Sequence, residues 1–357
     1  MARPTHIVID LSALRHNVGI AKTLAGDRKI MAAVKADAYG HGLLHCARAL
    51  SSHVDGLAVA TCEEGLQLRE AGLDIPILAL QGPFDTTDMA LIRDRNLMPV
   101  LHCPEQLALL ANATAKLESQ IWLKVDTGMH RLGFSPADME TVIATVSPQA
   151  PAGMVLISHL AAGEDVQSAL TETQIACWHA LTSQISLETS LLNSSGTISG
   201  IAADSEWIRP GIMLYGAPPK APGSSKTLRA VMGLYSAVMA VRNVAPGEQV
   251  GYGGTWTASV PSRIATIPVG YGDGYPRTAR NGTPVRVGDT VCPLAGRVSM
   301  DMITVDVTHL DDCRVGMPVE VWGPNLAVNE VAVHAGTIGY ELLTRLTGRI
   351  PRKIVDH

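Results

Sequence analysis

The chain has 357 residues, of which 46% are hydrophobic and 17% charged, a composition that predicts a large buried core in two domains and argues against disorder. The formal net charge of -5 gives no reason to expect a nucleic acid or an anionic membrane as partner. No run approaches the roughly 18 consecutive apolar residues of a membrane helix, and residues 1–10 contain no apolar signal core, so we expect a cytoplasmic protein.

Residues 29–214 alternate between short apolar runs and segments of helical composition. The apolar runs are 29–36, 56–61, 76–80, 98–102, 121–126, 153–160, 189–194 and 207–214. The clearest helical segments are 42–50, 63–72, 104–117 and 171–187. Continuous apolar strands that alternate with helices predict a parallel sheet covered by helices, and a count of eight favours a closed (β/α)8 TIM barrel over an open doubly wound sheet.

The pattern changes after residue 217, where the Pro- and Gly-rich segment 217–225 is typical of a linker. The β-rich runs that follow, at 234–244, 263–269, 284–287 and 303–307, are separated by Gly and Pro turns. We therefore predict a barrel domain over residues 1–225 and a mostly antiparallel β domain over 226–357, and residues 1–10 are candidates to pair with the β domain.

Lys35 follows the first apolar run directly, at the end of a barrel strand where catalytic groups of this fold lie. Burial lowers the pKa of a lysine ammonium, and a neutral amine is what Schiff-base chemistry requires. The alternative is a surface lysine whose stem covers apolar neighbours. The Tyr39, Gly40 and Gly42 that follow favour a functional turn.

The ends of the later runs carry further polar residues. Arg131 can grip a carboxylate, although Asp126 or Thr127 beside it could equally cap a helix. His159 is a lone histidine, which is more often structural than catalytic. The small residues after the last two runs mark the usual phosphate position of a barrel.

Metal binding is not indicated by the sequence. The 6 cysteines are scattered without a Cys-x-x-Cys pair, which predicts reduced thiols. His41 and His45 have helical i, i+4 spacing, but no acidic third ligand is near, so one amphipathic helix face is the better interpretation.

Tyrosine–glycine pairs recur in a chain with only 7 tyrosines, and the pairs begin at Tyr39, Tyr215, Tyr252 and Tyr271. Glycine beside tyrosine permits unusual backbone angles and close approach to a ligand, but plain turn chemistry explains the pairs equally well. The glycines after Tyr252 and Tyr271 do not form the G-x-G-x-x-G pattern of a dinucleotide site.

Residues 33–42, AVKADAYGHG, resemble the cofactor-lysine signature of the alanine racemases. The resemblance continues in the family's order through 124–133, 209–216, 251–253, 267–274, 296–301 and 339–343. It implies a pyridoxal phosphate enzyme with a (β/α)8 barrel and a β domain, working as a head-to-tail homodimer whose sites are shared between chains. The short chain is similar to the catabolic bacterial type.

The resemblance also implies two opposed bases. Lys35 would hold pyridoxal phosphate as an aldimine and then act as the base on the D-alanine face. Tyr252 of the other chain would act on the L-alanine face. One base removes the proton and the other returns it, so the configuration at Cα inverts.

The remaining roles implied by the resemblance concern the cofactor and the substrate. Arg209 would contact the pyridine nitrogen, with His159 behind it as a hydrogen-bond donor. The phosphate would be held by Tyr39, Ser194, the N–H groups of Gly211 and Ile212, and Tyr340. Arg131 would meet the substrate carboxylate or the phenolate oxygen of the cofactor. Tyr271, Met300 and Asp301 of the other chain would line the entrance and help to bind the carboxylate. Lys124 resembles a lysine that is often carbamylated, which would orient Arg131.

Some positions depart from the family pattern, namely His130, Trp256 and the segment 193–195, which puts substrate access and the phosphate contacts in question. Related readings are a racemase of other amino acids such as serine or lysine, and a decarboxylase of basic amino acids with the same fold. A non-catalytic pyridoxal phosphate carrier resembles the barrel alone, and the segment 226–357 argues against it.

Overall fold

The computed structural model describes residues 3–113, 115–201, 203, 205–218 and 228–356. The first strand, β1 (His6–Asp10), leads into helix α1 (Leu11–Ala25), where the Asp10 side chain caps the helix by accepting hydrogen bonds from the N–H groups of Ser12 and Ala13. The barrel strands are β2 (Lys29–Ala33), β3 (Gly56–Val59), β4 (Ile77–Ala79), β5 (Met98–Leu101), β6 (Ile121–Lys124), β7 (Met154–Ile157), β8 (Glu188–Ser190) and β9 (Trp207–Ile208).

Within the described residues these eight strands form one parallel sheet in the order β8-β7-β6-β5-β4-β3-β2-β9. An isolated parallel bridge between Asn193 and Arg209 joins the two ends of the sheet, so the barrel is nearly closed. The segment α2 (Lys35–Gly40) is a left-handed turn, and the helices of the barrel are α3 (Leu43–Leu50), α4 (Cys62–Glu70), α5 (Thr86–Asp94), α6 (Pro104–Ala111), α7 (Met139–Val146), α8 (Ala169–Thr182) and α9 (Ser194–Ile198). The predicted (β/α)8 barrel is confirmed.

Most of the predicted runs extend beyond the strands. The run 29–36 ends as a strand at Ala33, and the run 207–214 forms a two-residue strand followed by the 3-10 turn Ile212–Tyr215. Apolar residues such as Val34 and Val125 follow the strands directly because they are buried at the barrel mouth. His41 and His45 do not share one face either, since His41 is fully buried before α3 and His45 is exposed.

The second part of the chain is mostly antiparallel, as predicted. Its strands are β10 (Met232–Ala237), β11 (Ala240–Val244), β12 (Gln249–Val250), β13 (Trp256–Thr257), β14 (Ser262–Ile267), β15 (Pro284–Val287), β16 (Thr290–Pro293), β17 (Ile303–Asp306), β18 (Pro318–Trp322) and β19 (Arg352–Val355). Its helices are α10 (Val328–Ala335) and α11 (Gly339–Thr344). The predicted run 234–244 is divided between β10 and β11, which belong to different sheets.

The N-terminal strand belongs to the second sheet rather than to the barrel. Strand β1 pairs antiparallel with β10 and parallel with β19, and its Ile7 and Ile9 are fully buried. The six-stranded sheet has the order β16-β15-β18-β10-β1-β19. The predicted domain boundary between residues 225 and 226, and most of the linker 217–225, lie outside the described residues.

In the described part of the chain, no helix is long and apolar enough to cross a membrane.

Candidate active site

The turn after β2 directs Lys35 into the barrel. Residues Ala36 to Tyr39 all have positive φ angles between 52° and 55°, so the backbone makes one left-handed turn. A left-handed conformation costs roughly 1–2 kcal/mol per non-glycine residue. Strain of this kind persists only where the surrounding structure holds it, and it clusters at functional sites.

A cavity of about 460 Å³ opens at the carboxyl ends of the strands and contains most of the predicted site residues. Those that line it are Lys35, Tyr39, Lys124, Arg131, His159, Ser194, Arg209, Gly211, Ile212 and Tyr340. Tyr340 comes from α11, which packs on the left-handed turn: a Cβ added to Gly40 would lie 2.3 Å from the carbonyl oxygen of Leu343. The cavity is therefore formed by both parts of one chain.

The charges around this cavity are unbalanced. Lys35, Lys124, Arg131 and Arg209 line it, and no Asp or Glu is among the described residues of the lining. Burial and the charge of Arg131 lower the pKa of Lys35. Burial, Arg209 and Arg131 lower the pKa of Lys124 to about 7. A cavity lined by four basic side chains, with no acid in its described lining, suits a ligand that carries several negative charges.

Arg209 lies on the floor of the cavity and is 7% exposed. Its guanidinium donates to the carbonyl oxygen of Ser190 at 2.8 Å and to Ser190 Oγ at 2.6 Å. Burial lowers the pKa of Arg209 to about 9, which still leaves it protonated at neutral pH.

His159 faces the Arg209 guanidinium, with its Nδ1 3.5 Å from an Arg209 terminal nitrogen. Burial and the charge of Arg209 hold the pKa of His159 well below its ordinary value, so the imidazole is neutral. A guanidinium has no acceptor, so Nδ1 accepts the hydrogen bond, whereas the sequence interpretation had His159 as a donor.

Hydroxyl and amide groups line the wall opposite Arg209. Ser194 Oγ accepts hydrogen bonds from the N–H groups of Gly211, at 2.8 Å, and Met213, at 3.3 Å. A Cβ at Gly211 would lie 2.3 Å from Tyr39 Oη, so only glycine leaves room for this tyrosine. The Tyr340 ring lies 6.0 Å from the Tyr39 ring. This wall presents hydroxyl groups of the kind that bind phosphate oxygens.

Arg131 lies on a tight loop over the cavity. The Asp126 carboxylate accepts hydrogen bonds from the N–H groups of Gly128 and His130, and His130 has a φ of 55°. The chain then returns to pair Val125 with Phe134. Asp126 therefore stabilises a loop, and the alternative that it caps a helix is wrong, because the next α-helix begins at Met139.

The other predicted site residues lie outside this cavity, on the β domain. Tyr252, Met300 and Tyr271 are 69%, 53% and 37% exposed, and Asp301 is also exposed. We call these four residues the β-domain patch. The N–H of Tyr271 donates to the carbonyl oxygen of Ser299, and this bond joins two of the patch loops. One chain alone does not bring the patch to Lys35.

Sequence reasoning missed residues that support the cavity. Gln81 lines it, and Ser190 holds Arg209. Glu64 contacts the turn after Lys35. The available signal was position, since Gln81 and Glu64 follow barrel strands at the carboxyl end.

Comparison with known proteins agrees with this geometry. The family model described as "Alanine racemase, N-terminal domain" matches residues 9–219, and "Alanine racemase, C-terminal domain" matches residues 231–354. The alanine racemase of Pseudomonas taetrolens is 43% identical over 356 residues, covering 99% of both chains. The "alanine racemase, catabolic" of Pseudomonas putida strain KT2440 is 42% identical over 356 residues, with 99% of both covered.

Solved structures of alanine racemases are also similar to this chain. The biosynthetic alanine racemase of Pseudomonas aeruginosa has a TM-score of 0.95 at 44% identity, with 99% of each chain covered. The alanine racemase of Bartonella henselae with covalently bound pyridoxal phosphate has a TM-score of 0.89 at 30% identity, covering 99% of this chain and 100% of that one. A relative named catabolic and one named biosynthetic match almost equally well, so similarity does not distinguish the two subtypes.

Proposed function

The chain belongs to the alanine racemase family, and from this premise we propose that it interconverts L-alanine and D-alanine on pyridoxal phosphate with Lys35 and Tyr252 as opposed bases. The observation that carries the proposal is the cavity, where the Lys35 amine with its lowered pKa lies among cations and hydroxyl groups without an acid in the described lining. A phosphate and a carboxylate together supply the negative charge that this cavity lacks.

The cavity residues fit the cofactor. Lys35 would bind it covalently through Nζ, and Arg209, held by Ser190 and backed by the neutral His159, would contact the ring nitrogen. The residues that would hold the phosphate are Tyr39, Ser194, Gly211, Ile212 and Tyr340. When bound, pyridoxal phosphate supplies an electron-accepting ring that spreads the charge left at Cα after deprotonation. Because Arg209 stays protonated at neutral pH, it would donate to the ring nitrogen, and that nitrogen would carry no proton.

Proton transfer at Cα requires one group on each face of the substrate. Lys35 Nζ, with its pKa lowered by burial, takes the proton from D-alanine or returns it there. Tyr252 Oη does the same on the L-alanine face. Since Tyr252 is exposed on its own chain, we propose that it acts in the cavity of a second copy.

A homodimer accounts for the β-domain patch. Exposed tyrosines and methionines are typical of interface residues. When the patch of one copy covers the cavity of the other, it brings Tyr271, Met300 and Asp301 to the substrate and excludes water. Arg131 then grips the substrate carboxylate from the loop above the cavity.

Lys124 is proposed as a site of carbamylation. Its pKa of about 7 leaves much of the amine neutral at physiological pH. The neutral nitrogen adds to the carbon of carbon dioxide, so an N–C bond forms while one C=O π bond breaks and its electron pair goes to oxygen. The nitrogen then loses a proton to water, and a side chain that is otherwise a cation becomes an anionic carbamate. The resulting carbamate pairs with Arg131 and holds it toward the substrate.

The experiment is to follow optical rotation of L-alanine, L-serine and L-lysine with purified protein and pyridoxal phosphate. We expect rapid decay to zero for L-alanine alone. Equal decay of all three would instead indicate a broad-spectrum racemase on the same residues. No decay with cofactor-loaded protein would contradict the proposal and favour the carrier.

One control accompanies this assay. Borohydride reduction should attach the cofactor to the peptide that contains Lys35, and failure to do so would refute its covalent role.

A cytoplasmic location is also part of the proposal. It is supported by the free thiols of the six cysteines and is tested by cell fractionation.

A further inference from the structure

Glu64 joins two strand ends beside Lys35. It lies in the first turn of α4, which Thr61 caps. One carboxylate oxygen accepts a hydrogen bond from the N–H of Ala36 at 2.7 Å, and the other accepts one from the N–H of Ala60 at 2.7 Å. A single carboxylate therefore connects the segment after β2 to the segment after β3.

The bond to Ala36 lies where the backbone is most strained. Ala36 is the first of the four left-handed residues, and its N–H belongs to the peptide group that joins Lys35 to Ala36. Hydrogen bonds to a charged acceptor are about twice as strong as neutral ones. This bond therefore fixes the orientation of the peptide between Lys35 and Ala36, and so the direction in which the Lys35 side chain leaves the backbone.

Glu64 also acts on Lys35 by charge. The groups that face Lys35 from the neighbouring strands are Arg131, Arg209, Lys124 and His159. Burial, Arg131 and Arg209 lower the pKa of Lys35, whereas the Glu64 carboxylate raises it. The carboxylate does not line the cavity itself, so it acts on Lys35 from behind, without meeting the ligand.

We propose that Glu64 is a positioning residue for Lys35, which holds the left-handed turn by the paired bonds to Ala36 and Ala60. The inference rests on the proposed role of Lys35 as a base. It concerns a residue that does not touch the substrate, so its effect must pass through Lys35 alone.

The test compares Glu64→Gln with Glu63→Gln in the full-length, cofactor-loaded protein. An amide side chain has one acceptor oxygen, and its NH2 group cannot accept from a backbone N–H, so Glu64→Gln loses one of the two bonds. Glu63 is the exposed neighbour in the same helix turn and is the matched control. Hydrogen exchange, followed by mass spectrometry, should be faster at the Ala36 amide or the Ala60 amide in Glu64→Gln, and unchanged at both amides in Glu63→Gln.

Kinetics then separate positioning from general damage. We expect kcat of Glu64→Gln to fall about 10- to 100-fold with a nearly unchanged KM, since small misplacements of a reacting group have effects of this size. Because Lys35 removes the D-alanine proton, the primary isotope effect of Cα-deuterated D-alanine should rise. That of Cα-deuterated L-alanine should not rise, because Tyr252 removes that proton.

Each alternative outcome has one meaning. Unchanged amide exchange, or a loss of kcat with neither isotope effect altered, would overturn the positioning role. A wild-type protein that does not racemise alanine would refute the proposed function instead. The amide exchange of Glu64→Gln would still test the contact in that case.

Discussion

Ionisable side chains occur in two different settings inside this molecule. Asp273 is fully buried but paired, since it accepts hydrogen bonds from the Arg3 guanidinium and from the N–H of Gly270. Lys35 and Lys124 lie in a cavity whose described lining contains no acid. Removing one partner of a buried pair leaves an uncompensated charge and destabilises a fold, whereas a cluster of basic side chains in a cavity is typical of a site for an anionic ligand.

The Asp273 contact predicts a pH-dependent stability. Burial by itself would raise the pKa of Asp273, but the hydrogen bond from Arg3, the N–H of Gly270 and the charges of Arg3 and Arg349 outweigh it and lower the pKa. Stability from this group is therefore full above the unfolded value of about 3.9 and is lost as pH falls through the lower folded value. Asp273→Asn should reduce the free energy of unfolding by about 1–3 kcal/mol at pH 7.

The measurement is chemical denaturation of wild type and Asp273→Asn from pH 7 downward. The difference between them should shrink as the pH falls below about 3.9, because protonated Asp273 resembles asparagine. Asp289→Asn, which alters an exposed surface pair with Arg286, should cost less than about 1 kcal/mol. A difference that stays constant over this pH range would contradict the account.

At the scale of elements, the sequence predicted which segments exist better than where they end. Eight apolar runs gave eight barrel strands, because both faces of a parallel strand are buried and its residues are continuously apolar. The same reasoning cannot locate a strand's carboxyl end, since residues at the barrel mouth are buried as well. The run 29–36 shows this, because Val34 is fully buried although the strand ends at Ala33.

Prediction of the site residues from the sequence has a similar limit. Lys35, Arg131 and Ser194 could be selected because each follows a strand, and parallel strands bring their carboxyl ends together. The Glu64 contact could not be predicted, since it depends on how α4 turns its first residues back toward the turn after β2. The proposed action of Tyr252 and Tyr271 at the site of another chain likewise has no signal in the local sequence pattern, and it rests on the family resemblance.

The packing of α11 on the left-handed turn predicts unequal effects of two glycine substitutions. Gly40 and Gly72 have nearly the same φ, 81° and 79°, but a Cβ at Gly72 meets nothing within 4 Å whereas one at Gly40 would overlap the backbone of Leu343. Gly72→Ala should cost about 1–2 kcal/mol of unfolding free energy from backbone strain. Gly40→Ala should cost about 1–3 kcal/mol more from overpacking.

Denaturation of both variants, together with cofactor titration, checks this prediction. Gly40→Ala should also bind pyridoxal phosphate more weakly, because the displaced α11 carries Tyr340. Gly72→Ala should bind it normally. Equal loss of stability in the two variants would show that α11 does not pack on the turn as described.

At the scale of the whole molecule, the proposed mechanism leaves one chain with an incomplete site. The chain provides a cavity with Lys35 and Tyr340, and it carries Tyr252, Tyr271, Met300 and Asp301 on a surface away from that cavity. In the proposed dimer, two copies arranged head to tail would complete two sites at once, since each cavity would receive the other copy's patch. This arrangement would make catalysis dependent on dimer formation.

The most direct test of the shared site mixes two inactive variants, Lys35→Ala and Tyr252→Phe. Tyr252→Phe alone should keep the cofactor colour and lose racemisation. After dissociation and reassociation, a hybrid dimer has one site with both changes and one intact site, so a random mixture should regain about a quarter of the wild-type activity. A mixture that forms hybrid dimers but remains inactive would contradict the central claim that Lys35 of one chain works with Tyr252 of the other.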